Sequence, residues 1–274
     1  MVFTLRQGTM PILISMPHIG TEIPPELQSL YVPRALAVED TDWHLFRLYN
    51  FAKTLGASVL TPRFSRYVID LNRPPNDTPM YPGASNTELC PTRFFTGEPL
   101  YREGSAPTGQ EKEKRLVEYW QPYHDALSKE LERLRNLHGY VLLWDAHSIR
   151  SELPWLFEGR LNDLNIGTVG GESAHLSITK AVTDAAHLAT SNLTDAPITV
   201  AVNGRFKGGF ITRHYGKPEQ HIHAVQLEQT QRTYMQEMPP FSYDEQRAKV
   251  VQPVIFSMAC AAYDAANKLY AKRR

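Results

Sequence analysis

The chain has only two cysteines, Cys90 and Cys260, far apart and without paired spacing. That excludes a disulfide framework and a thiolate zinc site, and it places the protein in a reducing compartment, expected to be the cytoplasm. Charge of one sign is also missing. The 29 basic and 29 acidic residues cancel, so no long-range field draws the protein to nucleic acid or to an anionic membrane. No apolar run approaches the roughly 18 to 20 residues of a membrane helix. The run Pro11 to Met16 is about a strand long and no small-residue cleavage site follows it, so it is not expected to be a signal peptide. Repeats, low-complexity stretches and Ser/Gly linkers are absent as well, and the 20 prolines are scattered, so residues 1–274 are expected to form one domain. Neither a Walker loop nor a Gly-x-Ser-x-Gly elbow occurs. What remains is a chain of ordinary globular composition, 42% hydrophobic and long enough to bury a large core.

Short Val/Ile/Leu-rich runs alternate with segments of helical period, the pattern of an α/β fold with a mixed, mostly parallel sheet flanked by helices. Strands are expected at Pro11 to Met16, Ser58 to Thr61, Tyr67 to Leu71, Tyr140 to Trp144, Leu164 to Val169, Ile198 to Val202 and Ala224 to Leu227. Helices are expected at Trp43 to Leu55, stopped by Gly56, at Thr108 to Leu137 with a kink or break at Pro122, at Ser173 to Ala189 and at Tyr243 to Ala271. Arg73 to Gly109 has no period and is rich in Pro, Gly, Asn and Thr. An excursion this long is expected either to cover or line the mouth of a site or to be simply an irregular surface segment, the two readings weighing about equally.

Ligands of open α/β sheets collect beyond the carboxyl ends of strands, so the polar residues that end each apolar run are informative. Four stand out: His18, the Asn72-Arg73 pair, His147 and Glu228. Imidazole is the commonest zinc ligand, and a hydrolytic site takes three ligands from His, Asp or Glu while leaving a position for water. One such histidine is more often structural. Two at equivalent strand ends, with the carboxylates of Asp40 and Asp42 available as a third ligand, shift the balance toward a divalent metal, Zn2+ by ligand type, with iron, manganese or cobalt as alternatives. Glu228 suits a general base or a brace for the site. The loop arginines Arg73, Arg150 and Arg213 carry forks that match carboxylates, which suits an anionic substrate, although any one of them could equally be a surface ion pair.

These residues lie within longer motifs: Ser15-Met-Pro-His-Ile-Gly-Thr21, Asp40-Thr-Asp-Trp-His44, Ser65-Arg-Tyr-Val-Ile-Asp-Leu-Asn-Arg-Pro74, Trp144-Asp-Ala-His-Ser-Ile-Arg150, Asn203-Gly-Arg-Phe-Lys-Gly-Gly209, Ile211-Thr-Arg-His-Tyr-Gly216 and His223-Ala-Val-Gln-Leu-Glu228. In this order they closely resemble the N-formylglutamate amidohydrolases, or deformylases, of histidine degradation. The resemblance implies relation to zinc carboxypeptidases and aspartoacylase-type deacylases, with their mixed, mostly parallel sheet between helices. It further implies that His18 and His147 bind the metal, that Asn72 and Arg73 hold the substrate carboxylate and that Glu228 is the base; one or more of Arg150 and Arg213 are expected to join Asn72 and Arg73 in holding the two carboxylates of the substrate. Those relatives carry a Glu ligand three residues after the first His, whereas Thr21 stands there in this chain. Asp42 is the expected replacement, Asp40 the reserve and Glu22 a poorer third. The expected reaction is metal-dependent hydrolysis of N-formyl-L-glutamate to formate and L-glutamate, with a small-molecule substrate and neither nucleic acid nor membrane as partner. Its rivals are a deacylase of another N-acyl amino acid, a carboxypeptidase-like enzyme, and a non-catalytic metal or amino-acid binder.

Overall fold

Apolar residues on both faces of consecutive strands build the centre of the molecule. The computed structural model describes residues 1–80, 86–191, 193 and 197–271. Its strands are β1 (Phe3–Arg6), β2 (Ile12–Ser15), β3 (Ser58–Pro62), β4 (Val141–Ile149), β5 (Leu164–Gly167), β6 (Val200–Val202) and β7 (Ile222–Thr230). They form one sheet in the order β1-β3-β2-β4-β7-β5-β6. β3, β2, β4 and β7 run parallel; β1 is antiparallel to β3, and β5 is antiparallel to β7 but parallel to β6. The sheet is therefore mixed and mostly parallel, as the sequence pattern predicts.

The alternation of side chains along each strand divides the core into two layers. Ile12, Ile14, Leu142, Trp144, Val225 and Leu227 face one cluster, which α5 (Leu176–Thr190) and α7 (Glu245–Ala271) complete with Ile178, Val182, Val251, Ile255 and Met258. Leu13, Val141, Leu143 and Ala224 face the other, where α4 (Gln121–His138) contributes Leu127, Leu131 and Leu134. Burial on both faces is why these strands read as continuous apolar runs.

Several expectations need correction. The expected strand at Tyr67 to Leu71 is a buried succession of turns. Its backbone groups are satisfied outside any ladder: the carbonyl of Tyr67 accepts from Tyr31, that of Val68 from Arg115 and that of Leu71 from His124. An apolar run records burial, not pairing. β4 and β7 extend past their apolar stretches, so His147 and Glu228 lie within strands: Glu228 is paired on both sides, by His147 and Asn165, and His147 on the β7 side, beyond the end of β2. β1 escapes notice in the sequence because four residues carry too little periodicity. The helix at Trp43 to Leu55 is broken into α2 (Leu45–Leu48) and a 3-10 turn at Asn50–Ala52, although its apolar face is buried as expected. At Pro122 the helix does not break. A π turn at Leu116–Trp120 joins α3 (Gly109–Arg115) to α4 and absorbs the missing proline N–H. Among the described residues no helix is long and apolar enough to cross a membrane.

Candidate metal centre

The parallel strands deliver the polar residues to one end of the sheet. His18 follows β2 directly. In β4, Asp145 and His147 are two residues apart and share a face. β7 sets Gln226 level with Asp145 and Glu228 level with His147. Asp42 arrives from the turn before α2. Its N–H donates to the His18 carbonyl (3.0 Å), and its Oδ2 accepts from the N–H of Ser148 (3.1 Å), so the backbone fixes its approach to both histidines.

Three ligand atoms converge as a result. His18 Nδ1 is 3.2 Å from His147 Nδ1 and 3.7 Å from Asp42 Oδ2, which is 3.4 Å from His147 Nδ1. Tetrahedral zinc with bonds of about 2.0–2.2 Å separates its ligand atoms by roughly 3.3–3.6 Å. All three residues are buried; Asp42 Oδ1 makes no hydrogen bond but lies 4.0 Å from Arg66 Nη1, which leaves Oδ2 turned to the two histidines. The donor set and its spacing fit a divalent metal.

The far nitrogens of both rings meet carboxylates, as is usual around metal-bound histidines. His18 Nε2 is 2.7 Å from Asp70 Oδ1, and Asp70 is itself held by Arg66 at 2.6 Å. His147 Nε2 lies 3.2 Å from Asp145 Oδ1 and 3.1 Å from the Asn72 amide, while Thr212 Oγ1 donates to Asp145 Oδ2 (3.1 Å). Burial, reinforced by Arg66, lowers the pKa of His18 despite Asp70 and Asp42. Burial also opposes charge on His147, but Asp145, Asp42 and Glu228 outweigh it and hold that pKa well above the usual histidine value. Without a cation, a proton on His147 supplies the positive charge this cluster of carboxylates demands.

A partly enclosed cavity opens beside the cluster, lined by His18, Ser148, Gln226 and Glu228 at one side and by Arg66, Asn72, Arg73, Thr87 and Arg205 around it. Burial and the nearby Asp42 and Asp145 push Glu228 up to about 8, with His147 and Arg66 pulling the other way. Arg73 is aimed by three donations, to Thr87 O, Thr87 Oγ1 and Asn72 O. Asn72 is locked by the N–H of Ile211 on its Oδ1 (2.8 Å). Gly209 passes so near that a Cβ there would lie 2.2 Å from Asn72 Nδ2, which accounts for glycine at the end of the 203–209 motif. The Phe95 ring, from the 73–109 excursion, covers the Arg66 guanidinium at 4.6 Å.

The structure thus brings together His18, Asp42, His147, Asn72, Arg73 and Glu228. It does not bring Arg150 or Arg213 to the cavity. Arg150 turns to Glu39 (3.4 Å) and Asp40 (3.8 Å), and exposed Arg213 donates to the Gly208 carbonyl, each following its loop's local partners. Asp40 accepts from Tyr67 and the N–H of Phe95, and Glu22 pairs with Arg63 at the surface; neither reaches the histidines. Asp70, Asp145, Arg66 and Arg205 were not singled out from the sequence. All four lie inside the motifs, but their roles depend on which loops face the cavity.

Comparison with known proteins shows the family. The family model described as N-formylglutamate amidohydrolase matches residues 10–235. An N-formylglutamate deformylase of Pseudomonas putida is 49% identical over 254 residues, 93% of this chain and 92% of the relative. One of Pseudomonas aeruginosa is 50% identical over 93% of each. Among solved structures, an N-formylglutamate amidohydrolase from Ralstonia eutropha JMP134 shares the fold with a TM-score of 0.78 at 23% identity, covering 96% of this chain and 97% of its own. By family match, by identity along almost its whole length and by fold, the chain belongs to the N-formylglutamate amidohydrolase family.

Proposed function

We propose that the protein hydrolyses N-formyl-L-glutamate to formate and L-glutamate at a divalent metal, Zn2+, held by His18, Asp42 and His147. The observation that carries this reading is the convergence of those three ligand atoms beside a cavity that also holds a buried carboxylate and an Asn-Arg pair. The names of relatives at 49% and 50% identity support the substrate.

When bound, the cation would polarise the formyl oxygen, acidify the attacking water and counter the burial and carboxylate repulsion that hold the Glu228 pKa high. Asn72 and Arg73 hold one substrate carboxylate and fix the amide over the cluster, Arg73 presenting a fork already aimed by its backbone partners. Glu228 accepts a proton from water as the water oxygen bonds to the formyl carbon. It returns that proton to the nitrogen as the C–N bond breaks, so formate and a free amine leave. Asp70 and Asp145 keep the rings of His18 and His147 oriented throughout.

The test is formate or acetate release from N-formylglutamate, N-acetylglutamate and N-acetylaspartate, with and without a chelator. Turnover of the formyl substrate that is lost on chelation and regained with metal is expected; brisk turnover of an acetyl substrate alone would sink the assignment. Glu228→Gln should keep metal content while lowering kcat about 100- to 10,000-fold. Full activity in that variant would remove Glu228 from the base role.

A further inference from the structure

The 203–209 segment after β6 contributes Arg205, Phe206 and Gly209 to the cavity lining and is pinned at both ends. Asn203, at φ 50°, donates its backbone N–H to Ile166 O (2.7 Å), and its side-chain oxygen accepts from the N–H groups of Thr168 (2.8 Å) and Gly170 (3.1 Å). At the far end Gly208 takes φ 125°, and the Gly209 N–H donates to Gln226 Oε1 (2.7 Å) where Asn72 leaves no space for a side chain. Between these anchors Arg205 Nη2 donates to Leu156 O (3.1 Å), with its guanidinium 5.2 Å from the Phe206 ring. Phe206 in turn packs on the cluster of Phe95, Ile149, Leu153 and Leu161. Arg205 is therefore presented to the cavity by a fixed backbone, at little ordering cost on binding.

Three guanidinium groups line the cavity. Arg66 is buried against Asp70 (2.6 Å) with Asp42 at 4.0 Å, so its charge is engaged within the site. Arg73 belongs with Asn72 to one carboxylate. An N-acylglutamate brings a second carboxylate two methylenes away, and a carboxylate taken out of water needs a charged donor. The third, Arg205, lines the cavity while its Nη2 is held on Leu156 O. We propose that Arg205 binds the side-chain carboxylate and makes the site selective for dicarboxylic N-acyl amino acids, an inference that rests on the function proposed above.

The experiment compares wild type, Arg205→Met and Arg205→Lys on N-formyl-L-glutamate and its neutral isostere N-formyl-L-glutamine, alongside calorimetric binding of L-glutamate and L-glutamine to the metal-loaded enzyme. Losing a charged hydrogen-bond pair should lower kcat/KM for the acid about 10- to 100-fold in Arg205→Met, chiefly through KM, and change the amide less than about 3-fold. Arg205→Lys should recover part of the preference through its retained charge. Equal losses on both substrates, or an undiminished preference for the acid, would overturn the assignment. Product binding separates this inference from the reaction. If wild type releases no formate yet binds glutamate over glutamine, and Arg205→Met abolishes that preference, the reaction falls and Arg205 keeps its role. If wild type turns over N-formylglutamate and Arg205→Met keeps the preference, the reverse holds.

Discussion

At the scale of single residues, the metal centre depends on carboxylates that never touch the cavity. Asp145 is fully buried, level with Gln226 on the neighbouring strand, and faces the outer nitrogen of His147. Replacing it with asparagine keeps the shape and the Thr212 contact but removes the charge that fixes the ring and raises its basicity. Asp145→Asn should weaken metal binding about 10- to 100-fold while the protein remains folded. Titration with a competing chelator measures this, and an unchanged affinity would show that Asp145 does not orient His147. Asp70→Asn is a less clean test, because Asp70 also answers buried Arg66 and its loss would leave that cation without its nearest partner.

At the scale of elements, the irregular parts of the chain are held by side chains instead of ladders. Arg115, at the end of α3, is 1% exposed and donates to Val68 O (3.1 Å), the Tyr101 hydroxyl (2.9 Å) and Glu111 (2.9 Å), with the Tyr31 hydroxyl at 3.3 Å. It thereby ties the 65–73 turns, which carry Arg66, Asp70, Asn72 and Arg73, to the start of the long helical segment. Tyr31, Tyr67, Phe94, Leu100 and Tyr101 pack as a separate apolar cluster around the same place. Arg115→Met retains most of the volume but strands the buried Val68 carbonyl and removes a donor from the Tyr31 and Tyr101 hydroxyls, which keep their bonds to one another and to Tyr67 O. Such losses cost about 1–3 kcal/mol each at full burial, and partial relaxation reduces the sum, so a destabilisation of about 2–4 kcal/mol is expected in urea unfolding. A change below about 0.5 kcal/mol would mean that the apolar cluster alone holds the segment.

For the whole molecule, acid sensitivity follows from histidines buried as neutral rings. His124 is stacked on Trp120 with centroids 3.7 Å apart, donates from Nε2 to Leu71 O (2.9 Å) and accepts at Nδ1 from Tyr215 (3.0 Å). Burial lowers its pKa to about 3. His223, bonded to Tyr270 and to the N–H of His175, is lowered by burial and by its histidine neighbours to about 4. Both native values lie below the unfolded value of about 6.5, so the unfolded chain binds more protons across that interval. Stability is unaffected by these groups above about pH 7, falls as pH drops through 6.5 and stops falling on their account near 3 to 4. Between pH 7.5 and 5 each should cost about 2 kcal/mol. His124→Gln should therefore lose about 2 kcal/mol less than wild type over that range in urea unfolding, whatever its stability at pH 7.5. Identical losses would mean that His124 does not stay neutral in the fold.

The amino-acid sequence by itself determined the α/β class, the central strands and most helices, because two-sided burial and helical period are local properties that survive in the order of residues. It also singled out His18, Asn72, Arg73, His147 and Glu228, which end or follow apolar runs, and Asp42, with Asp40 and Glu22 as alternatives, as the residues to which the proposed function assigns roles. Tertiary structure decided which carboxylates pair with the rings, that Tyr67 to Leu71 is not a strand, and which arginines face the cavity. Asp70 and Asp145 gain their roles only when separate segments bring them to His18 and His147. Arg205, Arg150 and Arg213 are alike as loop arginines in sequence, and their directions are set by what the fold puts beside them: distant Leu156 for the first, distant Glu39 for the second and the nearby Gly208 carbonyl for the third. A ligand at a strand end is fixed by its own strand, whereas an arginine on a loop is aimed by whatever the fold places around it.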